Sequence, residues 1–131
     1  MKDTLANIMN NPVSDRFSPL LDEKQLKVFE DIGIDQIRDL VEEMLADTPS
    51  MIQRVVDALV AGDPERGRSV VHEMRGMFLN FGCTTIAGRI GELEIEWPDV
   101  GTDPAPIIDG IHECWDRTAE ELTRWMDAAH P

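Results

Sequence analysis

Apolar residues recur along this chain at three- and four-residue intervals, and no segment sustains the two-residue alternation of a half-buried strand. The pattern predicts helices throughout. A loosely specified stretch up to about Phe17 contains Leu5, Ile8 and Met9, enough for at most a short amphipathic turn. A first short helix is expected from near Ser18-Pro19 to Ile32, with Pro19 at the tolerated first position and Gly33 as a stop. Its expected buried positions are Leu21, Val28, Phe29 and Ile32. A second helix should begin near Asp35, a good capping residue, and close at Ala61-Gly62. It carries Ile37, Leu40, Val41, Met44, Leu45, Ile52, Val55, Val56 and Leu59 on one stripe. Pro49 sits inside that stripe and removes one backbone hydrogen bond, which predicts a kink or a brief break.

Asp63-Pro64-Glu65 restarts the chain with a cap, a proline at the first helical position and an acid favoured by the helix dipole. A third helix follows to about Gly82, and a fourth from about Thr85 to Trp97, aligning Ile86, Ile90, Leu93 and Trp97 before Pro98 ends it. After the loop 99–106, a last helix carries Ile107, Ile108, Ile111, Trp115, Ala119, Leu122, Trp125 and Met126. Four substantial amphipathic helices with short connections fold most simply as an all-α antiparallel up-down four-helix bundle, with a short additional N-terminal helix. On this reading residues 18–131 form the bundle and residues 1–17 an extension.

Composition narrows the function classes. A chain of 131 residues favours one domain, and 42% apolar residues are enough for a packed interior. The formal charge of −14 excludes nucleic-acid binding, which runs on clustered Lys and Arg, and disfavours anionic membrane surfaces. No stretch approaches the roughly 20 apolar residues of a membrane-spanning helix. Cys83 and Cys114 cannot build a disulfide framework, and nothing in the sequence places them near one another. They are expected as reduced thiols. With an N-terminus lacking the basic start and apolar run of a secretory signal, the expected location is the cytoplasm.

Candidate chemistry concentrates in Val70-Val71-His72-Glu73-Met74-Arg75-Gly76-Met77-Phe78-Leu79-Asn80-Phe81-Gly82. With His72 at zero on a helical wheel, Val70, Val71, Met74, Met77, Phe78 and Phe81 fall between roughly 140° and 260°, a core arc opposite the histidine. Arg68, Ser69, Arg75, Gly76, Leu79 and Asn80 share the His72 side, so the histidine is expected to point outward. Gly76 costs about 1 kcal/mol relative to alanine in mid-helix, which makes sense if something bulky must approach the imidazole. Arg75 lies within reach of an anion carried by His72, Arg68 adds a second positive charge, and Leu79 offers a small apolar docking contact. This arrangement suits transient capture of a phosphoryl group by a nucleophilic imidazole, with Arg75 neutralising its oxygens and Gly76 leaving room. No general base, metal cluster or nucleotide cradle is visible nearby, so the partner must supply the divalent ion and the phosphoryl donor.

The run from His72 to Gly82 resembles the signature of histidine-containing phosphotransfer (HPt) domains. In that signature a basic residue and a glycine stand three and four places after the histidine, here Arg75 and Gly76. An aromatic or aliphatic residue and a glycine stand nine and ten places after it, here Phe81 and Gly82. Asp47-Thr48-Pro49 followed by Ile52, Val55 and Leu59 resembles the second helix of such domains, Gly62-Asp63 the turn before the histidine helix, and Leu93-Glu94 the end of the next. The resemblance covers about residues 20 to 126. It implies a four-helix bundle whose histidine exchanges phosphoryl groups with aspartates of response-regulator receiver domains in multistep phosphorelays.

It further implies a monomeric phosphocarrier rather than an enzyme, without autokinase activity, partnered by a receiver domain, a hybrid histidine kinase or both. His72 would be the phosphorylation site, Arg75 the stabilising cation and Gly76 the clearance residue, with no cofactor of its own and Mg²⁺ expected on the receiver. Two departures stand out: arginine replaces the usual lysine at Arg75, and Met77 and Phe78 replace the small residues that usually follow the glycine. Both larger residues fall on the core arc, and Gly88 and Gly91 of the facing helix are expected to make room for them.

Plainer readings apply elsewhere. His112 is expected as a partly buried structural residue and His130 in the tail. Glu92, Glu94, Glu96 and Asp99 read as a solvated acidic face, because the single Asp109-x-x-His112 pair lacks the second motif of a bundle metal site. No metal site is therefore expected. The rival from another class is a non-phosphorylated HPt-like adaptor that binds a receiver or kinase domain through the same face.

Overall fold

A computed structural model describes residues 20–129 of the chain. The expectations for the extension to Phe17, for Ser18-Pro19 as a helix start and for His130 lie outside the described residues. The described chain forms five helices and no strand: α1 (Glu23–Ile32), α2 (Ile34–Ala61), α3 (Pro64–Asn80), α4 (Thr84–Ile95) and α5 (Ala105–Ala129). Packing follows a closed ring in which α2 meets α3, α3 meets α4, α4 meets α5 and α5 returns to α2, while α1 lies on α2. Short links between consecutive members of the ring produce the antiparallel bundle.

The first helix departs from its expected limits. It starts at Glu23, where the carboxylate of Asp22 accepts from the backbone N–H of Lys24 at 3.0 Å, and Gly33 stops it as expected. Its buried face is Leu26 and Phe29, whereas Val28 and Ile32 are about half exposed and Leu21 is half-buried. The reason is its seat at one end of the bundle. Phe29 packs against Phe81 at 6.1 Å and Trp125 at 6.4 Å between ring centroids, so only one narrow face meets other elements.

The second helix starts one residue before the expected Asp35, on Gly33, with no side-chain cap, and runs unbroken through Pro49. Pro49 is exposed, so its ring displaces no packed neighbour. The buried hydroxyl of Thr48 donates to the carbonyl of Met44 at 2.7 Å, one rung from the bond that the proline removes. The expected break is therefore absent. Leu40 is the one stripe residue turned to solvent.

Both turns flanking α3 use a left-handed glycine. Gly62 has φ +66°, and the N–H of Asp63 reaches back to the carbonyl of Ala58 at 2.9 Å. Gly82 has φ +73°, and the N–H of Cys83 reaches the carbonyl of Phe78 at 2.9 Å. These 6→1 bonds close each helix end tightly and reverse the chain within two or three residues. Asp63 then caps α3 by accepting from the N–H of Arg66, with Pro64 in the first turn.

The core joins Val41, Ile52 and Val55 of α2, Val71, Met74 and Phe78 of α3, Ile86, Ile90 and Leu93 of α4, and Ile107, Ile111 and Leu122 of α5. Trp97 is buried beyond the end of α4, which stops at Ile95 rather than at the tryptophan. Cys83 and Cys114 are both buried and form no disulfide. Burial, reinforced by the Cys114 thiol, pushes Cys83 up to about 12. Nothing in the sequence alone signalled this interaction between the two thiols. No described helix is long and apolar enough to cross a membrane.

Candidate functional site

The histidine of α3 stands where the wheel puts it. Val70, Val71, Met74 and Phe78 are buried, Met77 and Phe81 are half-buried, and the His72 side chain on the opposite face is 73% exposed. Arg68, Ser69, Arg75, Gly76, Leu79 and Asn80 are exposed along with it. The core arc dictates this arrangement, because burying one side of a helix leaves the other to water.

The surroundings of the imidazole were only partly legible beforehand. Nδ1 of His72 lies 2.5 Å from Oε2 of Glu94 on α4. A carboxylate only accepts, so Nδ1 carries the proton of this bond, and in the neutral ring the lone pair resides on Nε2. Among the described residues nothing bonds Nε2. The acidic run therefore departs from the expected solvated face: Glu94 is turned toward the histidine and half-buried, and Glu92 and Glu96 are also half-buried. Burial raises Glu92, with Arg89 opposing the shift and Glu96 adding to it.

Arg75 occupies the next rung of the same groove. A Cβ on Gly91 of α4 would stand 3.1 Å from Arg75 Cδ and 3.3 Å from its Nε, so the arginine stem lies across this glycine. Gly91 is buried beneath it. Among the described residues no carboxylate pairs with the guanidinium, which leaves its charge available to an incoming anion. Gly91 thus accommodates Arg75 and not Met77 or Phe78. Gly88 makes room for neither, since a Cβ there would meet nothing within 4 Å. Phe78 is instead absorbed by the core, its ring centroid 5.8 Å from that of Trp115.

Gly76 is exposed, and a Cβ there would also meet nothing within 4 Å. Among the described residues no neighbouring element fills the space beside Gly76. Leu79 is 43% exposed, while the backbone carbonyl of Asn80 accepts from the side chain of Gln25 at 3.1 Å, tying α1 to the end of the site helix. His112 is exposed, not partly buried as expected, because it falls off the α5 stripe of Ile107, Ile111 and Trp115. Among the described residues no group of three His, Cys, Asp or Glu could hold a metal ion.

Sequence reasoning missed Glu94 and Gly91 as neighbours of the site. The signal was the turn at Gly82. His72 lies ten residues before it and Glu94 twelve after, while Arg75 lies seven before and Gly91 nine after. The same offset of two relates both pairs, as an antiparallel helix hairpin requires.

Neither of two clefts on the surface includes His72: one of about 360 Å³ lies between Leu59–Pro64 and Trp97–Pro104, and one of about 250 Å³ lies along Thr84–Glu92. The His72 side chain instead stands 73% exposed on the outer side of α3, beside α4.

The bundle is the fold of a histidine-containing phosphotransfer protein. The crystal structure of histidine-containing phosphotransfer protein B (HptB) from Pseudomonas aeruginosa PAO1 is similar to it with a TM-score of 0.73, over 85% of this chain and 97% of that chain, at 22% sequence identity. Likeness at that identity is likeness of fold. No family model matches the sequence, and no curated protein matches it.

Proposed function

We propose that the protein is a phosphocarrier of a two-component phosphorelay, exchanging a phosphoryl group between Nε2 of His72 and aspartates of response-regulator receiver domains. The Nε2 lone pair forms the N–P bond as the P–O bond to the aspartyl carboxyl breaks, and that carboxylate leaves with the electron pair. The Nδ1 proton stays on the ring, and Glu94 offsets the positive charge that the phosphorylated imidazole acquires. Arg75 faces the anionic oxygens of the transferred group, and Gly76 leaves the approach open. The divalent ion and the acyl phosphate belong to the receiver, and a hybrid histidine kinase is a second class of partner. Arg68, Ser69, Leu79 and Asn80 form the docking surface, on a unit spanning residues 18–131 behind an extension of residues 1–17.

The observation that carries this reading is the outward imidazole, bonded through Nδ1 to Glu94 and, among the described residues, with Nε2 open, one turn from an arginine that no described carboxylate engages. The test is incubation with a phosphorylated receiver domain. Wild-type protein should acquire an acid-labile, base-stable label that His72→Gln lacks. Equal labelling of the mutant overturns the assignment. Receiver binding that survives His72→Ala, with no phosphohistidine formed on wild type, would instead establish the adaptor.

A further inference from the structure

The groove between α3 and α4 holds two side chains that lean the same way. His72 reaches α4 at Glu94, and Arg75 reaches it at Gly91, one turn along each helix. The helical rise sets the two rungs about 5 Å apart, a distance over which a guanidinium can touch the oxygens of a group held on the imidazole. What differs between the rungs is how each side chain is held. The imidazole has a hydrogen bond, whereas the arginine has a notch: a Cβ at residue 91 would press on its Cδ and Nε, 3.1 and 3.3 Å away.

Among the described residues only Arg75 has atoms within 4 Å of that Cβ position. A Cβ at residue 91 would therefore press on the arginine first. The shape of the cation explains why the notch matters. Arginine is longer than lysine and ends in a planar fork, so its charge sits where its stem is laid down.

We propose that Gly91 is a positioning residue for phosphoryl transfer, forming the notch that lays Arg75 across α4 and so fixes its guanidinium beside the phosphorylated His72. The proposal rests on the phosphocarrier reading above. Gly91 touches neither the phosphoryl group nor the ring, and acts wholly through Arg75.

The test is a double-mutant cycle read in phosphotransfer rate from a phosphorylated receiver domain, with thermal denaturation of each variant alongside. Losing one charge-assisted contact to the phosphoryl oxygens should slow transfer about tenfold in Arg75→Ala. Gly91→Val, which fills the notch, should slow transfer to a similar degree, and Gly91→Ala, which asks the stem to move a few tenths of an ångström, should fall between. Adding Gly91→Val to Arg75→Ala should cost nothing more, because the group that it acts through is gone. Replacing a helical glycine should leave the melting temperature unchanged or raised, which separates positioning from damage to the bundle. Wild-type rates in Gly91→Val overturn the inference, as does an equal slowing by Gly91→Val with and without the arginine, or an Arg75→Ala protein as fast as wild type. Should Gly91→Val unfold, Gly91→Ala carries the same cycle. A wild-type protein that takes no acid-labile label defeats the phosphocarrier reading itself. A labelled wild type with an indifferent Gly91 defeats this inference alone.

Discussion

The Trp97 indole fills the space that a Cβ on Gly67 would occupy: its Cη2 lies 1.9 Å from that position, and Cζ3 and Cζ2 lie 2.4 and 2.7 Å away. This contact joins α3 to the chain just beyond α4, five residues before His72 and three after Glu94. A rigid ring against backbone has nowhere to retreat, so the glycine sets how closely the histidine helix and the Glu94 end of its neighbour approach. Gly67→Ala should destabilise the protein by about 2 kcal/mol through overpacking, seen as a melting temperature several degrees lower. An unchanged melting curve would show that the indole can move aside.

Glu94 fixes the tautomer and the orientation of the His72 ring, yet both groups remain partly hydrated. Removing the carboxylate should therefore remove order rather than structure. Glu94→Ala is expected to slow phosphotransfer about fivefold, the equivalent of about 1 kcal/mol for one partly exposed hydrogen bond, with the circular dichroism spectrum unchanged. Glu94→Gln, which keeps an oxygen acceptor, should retain more of the rate than alanine. Transfer at full speed in both variants would show that the ring needs no such support.

Gly76 should be replaceable without harm to the fold. Among the described residues nothing lies within 4 Å of its Cβ position, and glycine in mid-helix is unfavourable. Gly76→Leu is expected to gain up to about 1 kcal/mol of stability while blocking phosphotransfer, because the new side chain occupies the approach to Nε2. A variant that is stable and still transfers at the wild-type rate would remove Gly76 from the approach path.

Cys83 gives a pH dependence of known sign. Burial holds its thiol protonated up to about 12 in the folded protein, against an ordinary value of 9.0. The unfolded chain releases this proton first as pH rises, so the thiol's contribution to stability is fully present below pH 9.0 and is lost progressively toward about 12. Urea midpoints measured upward from pH 9.0 should fall more steeply for wild type than for Cys83→Ala. The same burial predicts slow reaction of Cys83 with thiol reagents until the protein unfolds.

Most of the helical architecture follows from local pattern alone. Asp63-Pro64 starts α3 and Gly62 and Gly82 bound it, because capping and left-handed backbone are properties of a few adjacent residues. The errors came where a neighbour outside the local segment decided. Val28 and Ile32 satisfy the helical period of α1, but that helix lies across the end of the bundle and buries only the side that meets Phe81 and Trp125. Pro49 reads as a kink or a break, but tertiary packing on both sides carries α2 without a break through a single missing bond.

The same division runs through the candidate site. That His72 points outward was set by its own helix, since Val71, Met74 and Phe78 claim the opposite side. What stands beside the imidazole was settled only when α4 folded back: Glu94 came under Nδ1 and Gly91 under Arg75 from residues that in sequence look like part of an acidic run and a spare glycine. Periodicity fixes which way a side chain faces because it depends on the rotation of one helix. The identity of its neighbours depends on the register between two helices, and that register is set by a turn and by contacts such as Gly67 on Trp97.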